Sequence, residues 1–311
     1  MAKKTKILIT GANGLLGQKI LTTLQNPIFS NLFEPIATAR GEKRMQDSTP
    51  YYSLDIADDL ALKSVIMESK PDIIIHTAAM TQVDQCELSP EECYKQNTQV
   101  VQNLHNLCKQ NNIFLIHLST DFIFDGEKGP YSEKDTPNPL SIYGDSKWKA
   151  EQILLNDTQF TQYAIIRTVL VYGVVADMSR SNIVLWVKNS LEQNKNIQVV
   201  DDQWRTPTLA EDLAMGCLLV AQKKATGIFH IAGSETLTPY QIAQKVALFF
   251  QLDTAYISRT DASQFSQPAK RPPKTGFNIE KAKKELGYSP TPFEEGLQVV
   301  AQQLKKQTIR L

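Results

Sequence analysis

Tyr143 and Lys147 stand four residues apart in Tyr143-Gly-Asp-Ser-Lys147, and about twenty residues earlier the chain carries Ser119-Thr120-Asp121. On a helix, that spacing puts a phenol and an ammonium on one face. A free phenol titrates near 10 and exchanges protons poorly at neutral pH unless its anion is stabilised. Lowering it by about three units requires roughly 4 kcal/mol, the size of its interaction with an ammonium about 4 Å away at an effective dielectric near 20. In this reading Tyr143 gives a proton, Lys147 tunes it, and Thr120 hydrogen-bonds a carbonyl oxygen. Alone, a Tyr-x-x-x-Lys pair is also a common feature of helix surfaces, so its weight depends on what surrounds it.

A second constellation supplies that context. The apolar run Lys6 to Thr10 leads into Gly11-Ala-Asn-Gly14-Leu-Leu-Gly17, and a helical pattern follows through Leu24. Glycines permit a tight turn and close backbone approach, and the helix start offers free amides to a diphosphate. The loop residues Gly11, Asn13, Gly14, Leu15, Leu16 and Gly17 therefore read as a dinucleotide cradle, with Lys147 placed to hold the nicotinamide ribose. The end of the second strand reads Ala39-Arg40-Gly41-Glu42, with no acid immediately at the strand end. An Arg there suits a ribose 2′-phosphate, which favours NADP(H), while Glu42 is near enough to keep NAD(H) open. Asp55, with Ile56 beside it, is placed either to reach the adenine edge or to begin a turn before Asp58.

The elements that must position these groups follow from the pattern. Strands are expected at Lys6 to Thr10, Pro35 to Ala39, Tyr51 to Leu54, Asp72 to His76, Phe114 to Ser119 and Tyr163 to Arg167. Several are apolar throughout, as strands covered on both faces are. Alternation with helical segments predicts an α/β fold: a Rossmann-type, doubly wound parallel sheet with a smaller C-terminal α/β substrate lobe. Residues 1–168 would form the dinucleotide-binding domain, with 206–237 returning to it, and 169–205 with 238–311 the lobe. Gly227 to Gly233 reads as one more buried strand of the main sheet. Four capping boxes, at Ser89, Thr208, Thr238 and Thr291, each with Glu or Gln three residues on, predict helix starts. Phe293, Leu297, Val300 and Leu304 predict an amphipathic C-terminal helix packed on the body of the protein.

Composition narrows the function classes. With 33 basic and 33 acidic side chains, the chain has no overall charge to draw it to nucleic acid or to an anionic membrane. No apolar run approaches the roughly 20 residues that span a bilayer. Cys86, Cys93, Cys108 and Cys217 form no Cys-x-x-Cys pair and read as small core residues, which predicts a reduced, cytoplasmic setting. The four histidines form no ligand cluster, so no metal is expected. Self-association as a homodimer is left open.

With the glycine loop, the Ser/Thr at the fifth strand and Tyr-x-x-x-Lys in order, the sequence resembles the extended short-chain dehydrogenase/reductase superfamily. Ala78-Ala79, Val83-Asp84, Asn97, Ser119 to Gly126, Arg167-Thr168, Asp202-Gln203, Pro207-Thr208 and Arg271-Pro272 make it similar to the dTDP-4-dehydrorhamnose reductases within that superfamily. The resemblance implies reduction of the C4 ketone of a nucleotide-linked 6-deoxy-4-keto sugar. It assigns Thr120, Tyr143 and Lys147 to catalysis, and Ala78, Ala79 and Asn97 to the cofactor side. Val83, Asp121 and Phe122 would face the sugar, while Trp204 and Arg205 would help hold the nucleotide or diphosphate; for Trp204 plain packing is an equal reading. Phe122 replaces the second acid of the dehydratases of this superfamily, which disfavours dehydration. Leu170 stands where these reductases usually carry Trp, and Lys19 lies near a position where some members place a carboxylate for Mg²⁺. A cofactor-binding regulatory subunit, like the β subunit of methionine adenosyltransferase, and a sugar-nucleotide epimerase are the alternative readings.

Overall fold

The computed structural model describes residues 3–176, 181–265 and 267–308; the ends and short stretches of the expected domains at 1–2, 177–180, 266 and 309–311 lie outside them. Six parallel strands come first: β1 (Thr5–Thr10), β2 (Phe33–Ala39), β3 (Tyr51–Ser53), β4 (Ile73–His76), β5 (Phe114–Thr120) and β6 (Tyr163–Thr168). Beyond them β7 (Val171–Tyr172) pairs with β9 (Thr208–Leu209), and β8 (Ile197–Val200) with β11 (Ile257–Thr260), while β10 (Gly227–His230) joins the edge of the main sheet beside β6. The sheet order is β10-β6-β5-β4-β1-β2-β3. This is the expected doubly wound arrangement, and its direction reverses between β1 and β4, where ligands of such sheets bind at the carboxyl ends of the strands.

The helices are α1 (Leu15–Leu24), α2 (Pro27–Ser30), α3 (Asp59–Ser69), α4 (Val83–Leu88), α5 (Pro90–Tyr94), α6 (Val100–Asn111), α7 (Ile142–Asn156), α8 (Ile183–Glu192), α9 (Ala210–Lys223), α10 (Pro239–Phe249), α11 (Glu280–Leu286) and α12 (Phe293–Thr308). Because successive strand side chains point to opposite faces, Ile7, Ile9, Ile75 and Ile166 meet Ile20, Leu21, Leu213 and Leu286 of α1, α9 and α11 on one side. Leu8, Ile74, Leu115 and Ile165 meet Leu62, Ile66, Leu104 and Leu154 of α3, α6 and α7 on the other. A separate apolar cluster joins α8, α10 and α12 through Leu185, Ile242, Val246, Leu297 and Val300. The C-terminal helix thus buries the face expected of it. Although α11 follows α10 in the chain, Ala282 and Leu286 pack under α9 with the main sheet.

Only one of the four expected capping boxes forms. Thr238 accepts the Gln241 amide and the Gln241 side chain returns to the Thr238 amide, starting α10. Ser89 makes no side-chain cap. Thr208 donates to the Val169 carbonyl, and Leu209 takes the cap position of α9. Thr291 gives both its amide and its hydroxyl to Asp212. In the last two cases a tertiary partner outcompetes the local one. No helix among the described residues is long and apolar enough to cross a membrane.

Candidate active site

At the switch point β1 turns sharply. Gly11 has φ +67°, and a Cβ there would lie 2.8 Å from the Ala78 amide and the Thr77 hydroxyl. The turn is thereby locked against the end of β4, where Thr77 donates to the Thr10 carbonyl at 2.6 Å and Ala78-Ala79 continue. Gly17 lets α1 close onto the turn, since a Cβ would meet the Gly11 carbonyl at 2.4 Å. Gly14 caps α1 with no side chain, and no acidic residue occupies the first turn. The amides around Leu15 and Leu16 are thus left to a ligand, and the bare helix start fits a diphosphate.

Asn13 does something the sequence did not indicate. Its amide nitrogen donates to the carbonyls of Glu42 at 2.9 Å and Arg40 at 3.3 Å, and its oxygen accepts the Arg44 amide at 3.0 Å. It fastens the glycine loop to the loop that carries Arg40, which is itself exposed. Lys43 is bound to Asp47 at 2.5 Å. Asp55 accepts the Ala57 amide at 3.1 Å, forming the turn that was one of its two readings, while Ile56 is buried.

The second constellation is assembled by α7. Ser141 accepts the Gly144 amide, and the Glu87 carboxylate accepts the Ile142 amide at 2.7 Å. These caps aim Tyr143 at the end of β5, where its ring meets Phe122 edge-on at 5.8 Å. Val83, Phe122 and Tyr143 come together with Met80, Ile142, Cys86 and Cys93 in one apolar pocket wall. Thr120 lies against the Tyr143 hydroxyl.

Electrostatics here differ from the expectation. Burial pushes the Tyr143 phenol up, the Thr120 hydroxyl opposes this, and the charge of Asp121 adds to it. The Lys147 ammonium lies 3.3 Å from Nε2 of His117. The expected lowering of Tyr143 by Lys147 is not found: burial outweighs the other influences and the phenol is raised. Desolvation brings Lys147 down to about 8, opposed by Glu151 and Cys93.

Asp121 and Arg205, expected to face the ligand, are turned inward. Asp121 accepts from Thr120 at 3.1 Å and from the Thr275 hydroxyl, with Arg205 Nε at 3.9 Å; burial raises its carboxyl. A carboxylate removed from water needs such partners. Arg205 spends its donors on the carbonyls of Trp204, Pro272 and Pro273 and on Gln203. Together they hold the 272–275 segment beside the exposed Trp204. Arg271 continues this segment to Asp84 at 2.7 Å.

Asn97 sits in a π-helical turn, Lys95–Gln99, between α5 and α6. Its side chain bonds both backbone groups of Met80 and the Ser146 hydroxyl at 3.0 Å, so it supports the pocket wall one residue from Lys147. Cys93 contacts the same Ser146 at 3.3 Å. The Cys93 thiol is lowered, first by its hydrogen bond with Cys86 and least by the Lys147 ammonium, while that of Cys86 is raised. Lys19 is paired with Glu211 and Gln303, each at 2.8 Å. Among the described residues no group of three or more His, Cys, Asp or Glu could hold a metal ion.

His117 and Thr275 had no role in the sequence reading, and Asp84 and Arg271 stood there only as marks of the resemblance, not as partners of each other. The available signal for His117 was its place two residues before Ser119 on an otherwise apolar strand.

Comparisons with known proteins identify relatives of the chain. The chain is 30% identical over 298 residues to methionine adenosyltransferase 2 subunit beta of Xenopus laevis, covering 94% of this chain and 86% of that protein. It is 30% identical over 291 residues to a probable low-salt glycan biosynthesis reductase of Haloferax volcanii, covering 93% and 95%. The crystal structure of dTDP-4-dehydrorhamnose reductase from Bacillus anthracis in complex with NADP superposes with a TM-score of 0.84 at 26% identity, covering 97% of this chain and all of that one. The RmlD substrate binding domain matches residues 5–306, nearly the full length that carries the glycine loop, the Thr120–Tyr143–Lys147 group and the inward-turned Asp121, and the chain belongs to that family.

Proposed function

We propose that the protein is a sugar-nucleotide oxidoreductase that reduces the C4 ketone of a nucleotide-linked 6-deoxy-4-keto sugar, with NADP(H) favoured over NAD(H) as cofactor. One observation carries this reading: the Tyr143 hydroxyl, held protonated by burial, lies against the Thr120 hydroxyl at the end of β5, facing an apolar wall of Val83 and Phe122. A bound nicotinamide dinucleotide supplies the hydride. Gly11, Gly14 and Gly17 hold its diphosphate against the amides of Leu15 and Leu16, with Asn13 ordering the Arg40 loop around the adenosine ribose. Asp55 with Ile56 and Ala78-Ala79 line the adenine side.

Thr120 turns its hydroxyl from Asp121 to the ketone oxygen and fixes its direction. Tyr143 then releases its proton to that oxygen as negative charge develops there. A phenol with a raised pKa remains a competent donor, because an alkoxide is far more basic than a phenolate, and the phenol stays loaded throughout the neutral range. Lys147, ammonium below about pH 8, holds ribose hydroxyls and stabilises the phenolate left behind. Val83, Phe122 and Trp204 enclose the sugar nucleotide, and the 271–275 segment, braced by Asp121 and Arg205, covers it.

The 30% identity to methionine adenosyltransferase 2 subunit beta favours a second reading: a cofactor-binding subunit that regulates a partner enzyme. One assay separates the two. NADPH absorbance is followed with dTDP-4-dehydro-L-rhamnose for wild type and Tyr143→Phe. Substrate-dependent oxidation that falls by about 10²-fold or more in the variant supports reduction. Tight cofactor binding without oxidation of NADPH or NADH would give the regulatory reading precedence.

A further inference from the structure

His117 is fully buried in β5, yet its environment is polar on one side only. Nε2 lies 3.3 Å from the Lys147 ammonium. Its ring stacks on His76 with centroids 5.6 Å apart and planes at 22°, and His76 is itself fixed by the Thr10 hydroxyl at 2.9 Å. Nδ1 has no hydrogen-bond partner. An ammonium only donates, so Nε2 must be the lone-pair nitrogen and Nδ1 must carry the proton. A buried unpaired N–H is costly, and a leucine would fill the same layer without it. What Nε2 does for Lys147 accounts for an imidazole at this position.

We propose that His117 is a positioning residue for Lys147: as a neutral imidazole it accepts the ammonium at Nε2, tethering that side chain below the site and stabilising its charge. The inference rests on the reductase reading for its consequence in turnover, and on geometry alone for its effect on Lys147. Burial and the nearby ammonium both keep His117 and His76 far below the usual imidazole range, so the pair stays neutral and attractive to a cation. The other titratable groups facing Lys147 are Glu151 one turn along α7, itself bound to Arg167 of β6 at 2.6 Å, Cys93 of α5, and Tyr143 on the same helix face. Glu151 and Cys93 favour the ammonium by charge alone, and neither takes the hydrogen bond that His117 offers it.

The test compares wild type, His117→Leu and His117→Gln, the last placing an amide oxygen where Nε2 lies. In protein labelled with ¹⁵N-lysine, the Lys147 Nζ resonance is identified by its loss in Lys147→Met and titrated with pH. The expected midpoint is about 8 in wild type, roughly one pH unit lower in His117→Leu, and close to wild type in His117→Gln. The alkaline fall of kcat should move by the same amount in the same variants. Thermal unfolding checks that each variant folds; a misfolded Leu variant is replaced by His117→Phe. A midpoint unchanged in the apolar variant overturns the role of His117. A midpoint that moves in a protein with no reductase turnover keeps the His117–Lys147 link and removes the reductase reading.

Discussion

Arg271 closes a two-pronged ion pair on Asp84, with contacts of 2.7 and 3.1 Å joining positions 187 residues apart. The Ala269 amide adds a third bond to the same carboxylate at 3.2 Å. The pair ties α4 to the segment that, in the proposed function, covers the sugar nucleotide.

Asp84→Asn should loosen that cover. Both side chains are partly exposed, so the loss of global stability should stay below about 1 kcal/mol. Hydrogen exchange of 269–275 should rise and KM for the sugar nucleotide should increase more than kcat falls. Arg271 first, by hydrogen bonding, holds the Asp84 carboxyl below its ordinary 3.8. A depressed carboxyl contributes stability that is complete above the unfolded value and is lost as pH falls through the folded one. The difference between wild type and variant should therefore shrink in acid below about pH 4. An equal difference in melting temperature at acid and neutral pH would exclude the pair as its source.

Gly17→Ala and Gly14→Ala should separate folding from binding. A Cβ at Gly17 would sit 2.4 Å from the Gly11 carbonyl and 2.6 Å from the Ala12 Cα, both backbone atoms that cannot swing aside. A loss on the order of 3 kcal/mol is expected, read as a lower melting temperature. At Gly14 the nearest atom is at 3.2 Å and the position is exposed, so stability should change by less than about 1 kcal/mol while dinucleotide binding weakens. Equal melting temperatures for the two variants would contradict this account of the turn.

The main sheet was legible because Ile73-Ile74-Ile75 and Phe114-Leu115-Ile116 are apolar runs that only a doubly covered strand satisfies. The glycine loop was legible because Gly11 takes a left-handed φ and Gly17 leaves no room for a Cβ, two demands that glycine meets. Long-range side-chain partners were not. Nothing local shows that Thr291 will choose Asp212 over its own helix, or that Arg205 will be drawn to Pro272 and Pro273 rather than to a ligand. The same holds for Lys147: spacing put it on the Tyr143 face of α7, but the direction of its flexible stem depended on a lone pair offered from β5.

Glu151→Gln should test the buried charge behind Lys147. Glu151 receives Arg167 Nη2 at 2.6 Å and Nε at 3.0 and 3.1 Å, with both side chains removed from solvent. Leaving a buried guanidinium without its carboxylate costs about 3–5 kcal/mol, so unfolding in urea should shift to markedly lower concentration. Because Glu151 favours the Lys147 ammonium, the alkaline fall of activity should also move to lower pH. A stable variant with an unmoved pH profile would show that neither effect operates through this carboxylate.

Asn13→Ala and Arg40→Ala should reveal how the cofactor's ribose is read. If Arg40 meets a 2′-phosphate, its removal forfeits a charge-assisted hydrogen bond, raising the NADPH Kd by roughly 10–100-fold and leaving NADH nearly unchanged. Asn13 touches the same recognition indirectly, through the Arg40 and Glu42 carbonyls and the Arg44 amide. Its truncation should loosen the loop and reproduce part of the NADPH loss, with a smaller loss for NADH because the glycine turn itself is held by Thr77 and Ala78 rather than by Asn13. Fluorescence titration with both cofactors at two ionic strengths checks this, as an exposed Arg–phosphate contact weakens with salt. If Arg40→Ala keeps its preference for NADPH, phosphate recognition belongs elsewhere, and Asn13 serves only to hold two loops together.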